Sequence, residues 1–321
     1  MNIGIIGTGA FSLALASIFD RNNFNVIMWS KFSEEINELN NKRISNNLES
    51  FVIPNSIKFT NTLEDITKNV DLIVIAIPSN YVYDTILELK KYYNNQHICI
   101  ASKGIEESSG RFLHDIVGEI LNTDKIGIIS GPSFAIDIVR EVPVGVTLAS
   151  KNMETTTIIK KHLSNNYFKI SVTDDMIGVS ICGCIKNIIA IAAGMIDGMG
   201  YPISTTSLLI TLALNDVKHL IKKFNGNEKS ILELAGVGDI ILSCTSVKSR
   251  NYSFGKLIGQ TNDKQVINNY VHNNTIEGLN TLININKNVD NLHFDTPFIN
   301  KMIDIILNGV EKDELIHFIV K

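Results

Sequence analysis

The sequence predicts an α/β fold, a doubly wound, Rossmann-like parallel sheet domain followed by a mostly α-helical domain. Three observations predict it. A short β-rich run, "NIGIIG", leads into a glycine turn and then into residues at helical spacing. Apolar runs of strand length recur up to about Thr173 with helical segments between them, the alternation of a parallel sheet. Beyond Thr173 the pattern is mostly helical, broken by Gly and Asn. A chain of 321 residues also exceeds what one core usually holds, about 250–300 residues. The boundary therefore falls between residues 1–173 and 174–321.

"NIGIIG" reads as the first strand and "AFSLALASIFD" as the helix after it. "NVIMWS" is a second strand. "VDLIVIAIPS" is apolar throughout and bounded by Asp71 and Pro78, which suits a buried parallel strand. "HICIAS" and "KIGIIS" repeat the pattern, and "PVGVTLAS" and "YFKISV" extend the same sheet. There is no internal repeat and no low-complexity linker.

Hydrophobic residues make up 45% and charged residues 19%, a globular mix. A net charge of −4 with no run of five like charges argues against a general nucleic-acid surface. Cys99, Cys182, Cys184 and Cys244 form no C-x-x-C pair and no zinc-spaced cluster, so no metal is expected. Their apolar surroundings suit reduced core thiols and a reducing compartment. No secretory leader is visible. The longest apolar run, residues 176–199, contains Lys186, Asn187 and Asp197, and reads as too short and too polar for a membrane span.

In "GIIGTGAFS", Gly7 and Gly9 fill two places of the G-x-G-x-x-G fingerprint and Ser12 takes the third. Gly7 permits the tight turn and Gly9 a close approach of a pyrophosphate. The helix N-terminus supplies N–H donors. The third glycine only eases helix–strand packing, so Ser12 leaves the phosphate cradle intact, with its hydroxyl free to bond the preceding helical turn. Residues 1–173 are thus read as a dinucleotide-binding domain. After the second strand stand Ser30 and Lys31 where an NAD-selective site usually has Asp or Glu. A cation there permits NADP, and an exposed loop lysine is the plain alternative.

Lys103 follows a buried strand, where α/β sheets bind ligands, and can meet an anionic substrate or simply be solvated. In "SGPSFA" the N–H groups of Gly131 and Ser133 can face the same crevice, or form a turn into a helix capped by Ser130 or Ser133. "SICGCIKNIIAIAAG" sets Lys186 inside an apolar helix, with Gly183, Ala190 and Ala193 on its face. An unpaired buried ammonium is costly, so this lysine must snorkel, pair or do chemistry. Asp239, in "GVGD", is a half-buried candidate partner. Ser249, Arg250 and Asn251 gather groups suited to a phosphate, arginine by its forked donors.

"ASKG", "SGPSFA", "KNIIAIAAG", "AGVGDI" and "SRN", in that order, resemble the bacterial-type NAD(P)-dependent glycerol-3-phosphate dehydrogenases. The resemblance runs from the glycine turn to "VHNNTIEGL". It implies reduction of dihydroxyacetone phosphate to sn-glycerol 3-phosphate with NADH or NADPH, in a cytoplasmic homodimer supplying phospholipid synthesis. It implies that Lys186 is the general acid–base, that Asp239 orients it, and that Lys103 contacts substrate and cofactor. Gly131, Ser133, Asn187, Ser249, Arg250 and Asn251 would bind the phosphorylated substrate. Gly7, Gly9, Ala10, Phe11, Lys31, Ala135, Arg250, Thr275 and Glu277 would bind the cofactor. The chain departs from the family pattern at Ser12, and at Thr206, Leu212 and Ala213, where a basic residue, an arginine and a glycine are common. Two other readings stand beside this one. One is a non-catalytic dinucleotide sensor. The other is a dehydrogenase of a different phosphorylated, hydroxy-acid or nucleotide-sugar substrate, the last needing a nucleophile such as Cys182 or Cys244.

Overall fold

The computed structural model describes residues 2–48, 51–288 and 296–321. The chain forms two compact units, one of residues 1–102 and 113–176, the other of residues 103–112 and 177–321.

The first unit carries an eight-stranded sheet in the order β3-β2-β1-β4-β5-β6-β7-β8. Its strands are β1 (Asn2–Ile6), β2 (Asn25–Trp29), β3 (Lys58–Thr60), β4 (Leu72–Ile75), β5 (His97–Ile100), β6 (Ile126–Ser130), β7 (Val144–Ala149) and β8 (Phe168–Thr173). The helices between them are α1 (Ala10–Arg21), α2 (Ser33–Lys42), α3 (Val82–Leu89), α4 (Leu113–Leu121), α5 (Ala135–Val139) and α6 (Met153–Leu163). β1 pairs in parallel with β2 on one side and β4 on the other, with Ile6 opposite both Trp29 and Ile75. The winding direction reverses between β1 and β4, so their carboxyl ends border the crevice where such sheets bind ligands. Ile3, Ile5, Leu13, Leu15, Phe19 and Leu72 are fully buried in its core.

Two features depart from the expected sheet. β3 has no apolar pattern and pairs at the edge with β2 over three residues. β7 runs antiparallel to β6, while β8 is parallel to β7. The reason is the brevity of α5. Five residues at 1.5 Å each carry the chain about 7.5 Å, less than the length of β6, so the chain returns as a strand.

The second unit is built around α7 (Met176–Gly198), whose residues from Ile188 to Ile196 include Ile189, Ile191 and Met195, all fully buried. By length and composition α7 could cross a membrane, with mean hydropathy 1.9, contrary to the expectation drawn from its polar residues. However, 89% of that stretch is buried inside the protein, as for a core helix. Around it lie α8 (Ile203–Lys223), α9 (Asp239–Cys244), α10 (Arg250–Gln260), α11 (Lys264–Asn273), α12 (Glu277–Lys287), α13 (Pro297–Ile306) and α14 (Glu314–Val320). α7 and α10 cross backbone to backbone. A Cβ on Gly194 would overlap the Tyr252 carbonyl, and one on Gly255 the Ile191 carbonyl. Gly198 and Gly259, one turn further on each helix, meet in the same way. In α8, Thr206 and Ala213 are buried and Leu212 packs against the helical core, so the divergent residues fit the apolar interior.

The segment 103–112 belongs to this unit. It folds back on itself through a bridge between Ile105 and Phe112, both in the helical core. Glu106 is buried inside the fold-back and accepts hydrogen bonds from the backbone and hydroxyls of Ser108 and Ser109.

Candidate active site

In the first unit, β1 ends in the glycine turn. Gly7 adopts φ +122°, and a Cβ there would lie 2.5 Å from the Ala76 carbonyl oxygen and 2.9 Å from Ser12 Oγ. Only glycine fits that turn. Gly9 is the N-cap of α1, and a Cβ there would meet nothing within 4 Å. The α1 N-terminus has no side-chain cap and no acidic residue in its first turn. Its first N–H groups and the open space above Gly9 suit an anionic group such as a pyrophosphate. Among the described residues, two buried side-chain atoms lack a hydrogen-bond partner, Trp29 Nε1 and Asn80 Oδ1. Trp29 ends β2 and Asn80 lies in the turn that follows β4, the two strands that flank β1. The residues present therefore fit a dinucleotide.

Ser12 does not bond the preceding turn of its own helix, as the sequence suggested. Its Oγ donates to the Ala76 carbonyl oxygen, 2.9 Å away, and so ties α1 to the end of β4. Ala10, Phe11 and Ala135 pack partly against the sheet core at the first residues of their helices. Lys31 is exposed. Neither Ser130 nor Ser133 caps α5, whose N-cap is Phe134. Ser133 Oγ donates instead to the Gly131 carbonyl at 3.1 Å. Gly131 abuts β7, 2.6 Å from a Cβ position to Val146 Cα.

The second unit gathers Lys103, Lys186 and Asp239. The Nζ of Lys186 donates to Asp239 Oδ1 at 2.6 Å and to Ser243 Oγ at 3.2 Å. Lys103 Nζ donates to the other oxygen of the same carboxylate at 2.9 Å. Asp239 is fully buried rather than half-buried, at 2% exposure. It begins α9, and Ser243 lies one turn further on the same face, a spacing that sequence reading passed over. Burial opposes the charge on Asp239, but the two ammonium groups outweigh it and hold the carboxyl low. Burial brings Lys186 down to about 8, with Lys103 adding to the fall and Asp239 resisting it. Burial also opposes the charge on Lys103, yet Asp239 and then Glu277 raise its pKa. Two cations thus share one carboxylate, a cluster that favours an anion nearby.

A chain of amides extends from this cluster. Asn187, beside Lys186, donates through Nδ2 to Glu277 Oε2 at 3.1 Å and accepts from Asn251 Nδ2 at 3.0 Å. Asn251 Oδ1 accepts from the Gly278 N–H at 2.9 Å. These bonds join α7, α10 and α12. Ser249 caps α10, its Oγ accepting from the Tyr252 N–H. Arg250 is exposed at that helix start, and Thr275 is exposed before α12. All four cysteines are buried and outside any disulfide. Burial pushes the Cys99 and Cys184 thiols up to about 12 and raises Cys244 as well, which disfavours the thiolate that a nucleophilic Cys244 would need. Among the described residues no group of three or more His, Cys, Asp or Glu is arranged to hold a metal ion.

Residues 2–156 match the family model for the NAD-dependent glycerol-3-phosphate dehydrogenase N-terminus, and residues 175–317 match that for its C-terminus. The chain belongs to the NAD-dependent glycerol-3-phosphate dehydrogenase family. Among similar family members, a glycerol-3-phosphate dehydrogenase [NAD(P)+] of Leptospira biflexa is 31% identical over 98% of this chain and 96% of its own. One of Macrococcus caseolyticus is 32% identical over 81% of this chain and 80% of its own. The crystal structure of a glycerol-3-phosphate dehydrogenase from Coxiella burnetii superposes with TM-score 0.93 at 29% identity, covering 100% of this chain and 98% of that one. As in that family, NAD or NADP is the cofactor and the chain is an oxidoreductase.

Proposed function

We propose that the chain reduces dihydroxyacetone phosphate to sn-glycerol 3-phosphate, with the first unit binding NAD(P)H and the helical unit holding and protonating the substrate. The observation that carries this reading is the buried lysine pair on Asp239. Lys186 serves as general acid. Its ammonium gives a proton to the carbonyl oxygen, and Asp239 and Ser243 hold Nζ in place for that transfer. The cofactor, when bound, supplies the hydride to the carbonyl carbon. Lys103 adds positive charge where the carbonyl oxygen becomes negative.

Arg250, Ser249 and Asn251, at the start of α10, take the phosphate, with Gly131, Ser133 and Asn187 as further substrate contacts. Gly7, Gly9, Ala10, Phe11, Lys31 and Ala135 bind the cofactor, and Thr275, Glu277, Lys103 and Arg250 contact it from the helical unit. The reverse oxidation uses the same residues, Lys186 then accepting the proton. The reading extends to a cytoplasmic homodimer that supplies glycerol phosphate for phospholipid synthesis.

The test follows nicotinamide absorbance with NADH or NADPH, with and without dihydroxyacetone phosphate. Cofactor oxidation is expected only when this ketone is present. Tight cofactor binding with no turnover on it would point to a sensor instead.

A further inference from the structure

We propose that Glu35, held by Ser30, reads the adenosine ribose of the cofactor and makes the chain prefer NADH to NADPH. The inference rests on the reading of the glycine turn as the cofactor cradle. The Gly7 N–H donates to the Trp29 carbonyl at 2.9 Å, and Ile6 stands opposite Trp29. Ser30, the next residue after Trp29, therefore lies beside the turn. This is the place where a nucleotide-binding sheet positions a carboxylate against the ribose 2′-hydroxyl.

Ser30 is too short to do this itself, and its hydroxyl is already committed. It accepts from the Phe32 N–H at 3.3 Å and donates to Glu35 Oε2 at 2.5 Å. Glu35, third residue of α2 and half-buried, is thus folded back to the end of β2. A carboxylate is an acceptor only, with roughly four lone-pair positions, and Ser30 fills one of them. The rest can accept the two ribose hydroxyls. A 2′-phosphate in the same place would face a fixed like charge.

Two other charges lie on this loop. Glu34 stands in the same first turn but is exposed, so its charge is screened by solvent and adds little. Lys31 is exposed and makes no hydrogen bond or ion pair among the described residues, so its charge is solvated and screened. The fixed carboxylate therefore decides the balance against the mobile ammonium, and Lys31 only moderates the discrimination.

The plain alternative is that Glu35 merely braces α2, whose N-cap Phe32 offers no side-chain cap. Binding measurements separate the two. Dissociation constants for NADH and NADPH would be measured by nicotinamide fluorescence on the unaltered protein, Glu35→Gln and Ser30→Ala, with thermal melts alongside. Glutamine can still accept from Ser30, so Glu35→Gln keeps the brace and loses only the charge. The unaltered protein is expected to bind NADH more tightly than NADPH. Glu35→Gln should shift the ratio toward NADPH by about ten-fold or more, the scale of one charged hydrogen bond. Ser30→Ala should shift it the same way by less, because the carboxylate remains but loses its tether. An unchanged ratio in Glu35→Gln, with or without a lower melting temperature, would overturn the proposal and leave the cradle standing. Failure of the unaltered protein to bind either nucleotide would overturn both.

Discussion

Lys186 Nζ lies 2.6 Å from Asp239 Oδ1 inside the helical unit. The contact keeps the ammonium charged, while burial and Lys103 still bring its pKa down to about 8. At neutral pH Lys186 is mostly protonated and can donate. Above about 8 it is mostly neutral and can accept. The kcat for ketone reduction should therefore fall as pH rises through about 8, and the kcat for alcohol oxidation should rise through the same region. Lys186→Met should cost roughly 10²–10⁴ in kcat and leave NADH binding within a few-fold. Initial rates in both directions across neutral and alkaline pH check this. A flat profile, or near-native turnover in Lys186→Met, would remove Lys186 as the proton donor.

Asp239 sits between Lys186 and Lys103 and raises the pKa of both. Asp239→Asn should lower the pKa of Lys186 further, since burial and Lys103 then act unopposed. The falling limb of the reduction profile should move to lower pH. The variant should also lose about 3–5 kcal/mol of stability, because a buried ion pair broken on one side leaves its partner uncompensated. Urea unfolding and the pH–rate profile together test it. A limb that stays in place while stability falls would make Asp239 a structural residue alone.

Most of the sheet was legible because its strands are apolar runs of distinct length. β3 escaped because three residues at a sheet edge carry no pattern. The antiparallel turn of β7 escaped because alternation along a strand does not encode its direction. Lys186 announced itself as a charge among apolar neighbours, and Asp239 as a carboxylate before an apolar run. Ser243 did not, since a serine in a short apolar helix needs no special reason to be there. The attachment of Lys103 to the helical unit depends on the Ile105–Phe112 bridge, which a local reading of a βα loop does not reveal. Glu35 was hidden for a related reason, reaching the end of β2 by folding back rather than by position in the strand.

The glycines of α7 and α10 lie far apart in sequence and disclose their purpose only when the helices cross. Gly194 faces the Tyr252 carbonyl and Gly255 the Ile191 carbonyl, backbone against backbone. Neither neighbour can rotate away as a side chain could. Gly194→Ala and Gly255→Ala should each destabilise the fold by about 1–3 kcal/mol or more, despite the better helix propensity of alanine. The crossing carries Lys186 on one helix and Ser249–Asn251 at the start of the other, so kcat and the substrate KM should both worsen. Gly200→Ala, where a Cβ meets open space, is a poor control because φ there is +85°. Thr211→Ala, on an exposed face of α8, is the better one. Equal melting temperatures for the two glycine variants and that control would show that the helices can separate at no cost.

The glycine turn separates stability from binding at three neighbouring positions. Gly7 is enclosed by Ala76 and Ser12 at a positive φ, so Gly7→Ala should destabilise the fold. Gly9 caps α1 at φ −68° with nothing near its Cβ position. Gly9→Ala should therefore leave the melting temperature almost unchanged. It should still weaken NADH binding, because the added methyl enters the space read here as the pyrophosphate's. Ser12→Gly should do the reverse. It loses the bond from Oγ to the Ala76 carbonyl, worth about 0.5–1.5 kcal/mol, and roughly 0.5 kcal/mol of helix propensity. Its stability should fall by about 1–2 kcal/mol in sum, while the cofactor Kd stays within a few-fold. Thermal melts and NADH titrations of the three variants decide the matter. Should Gly9→Ala bind NADH as tightly as the unaltered protein, and Ser12→Gly bind it more tightly, the open space above Gly9 is not the phosphate cradle, and the hydroxyl of Ser12 obstructs the cofactor rather than merely anchoring α1 to β4.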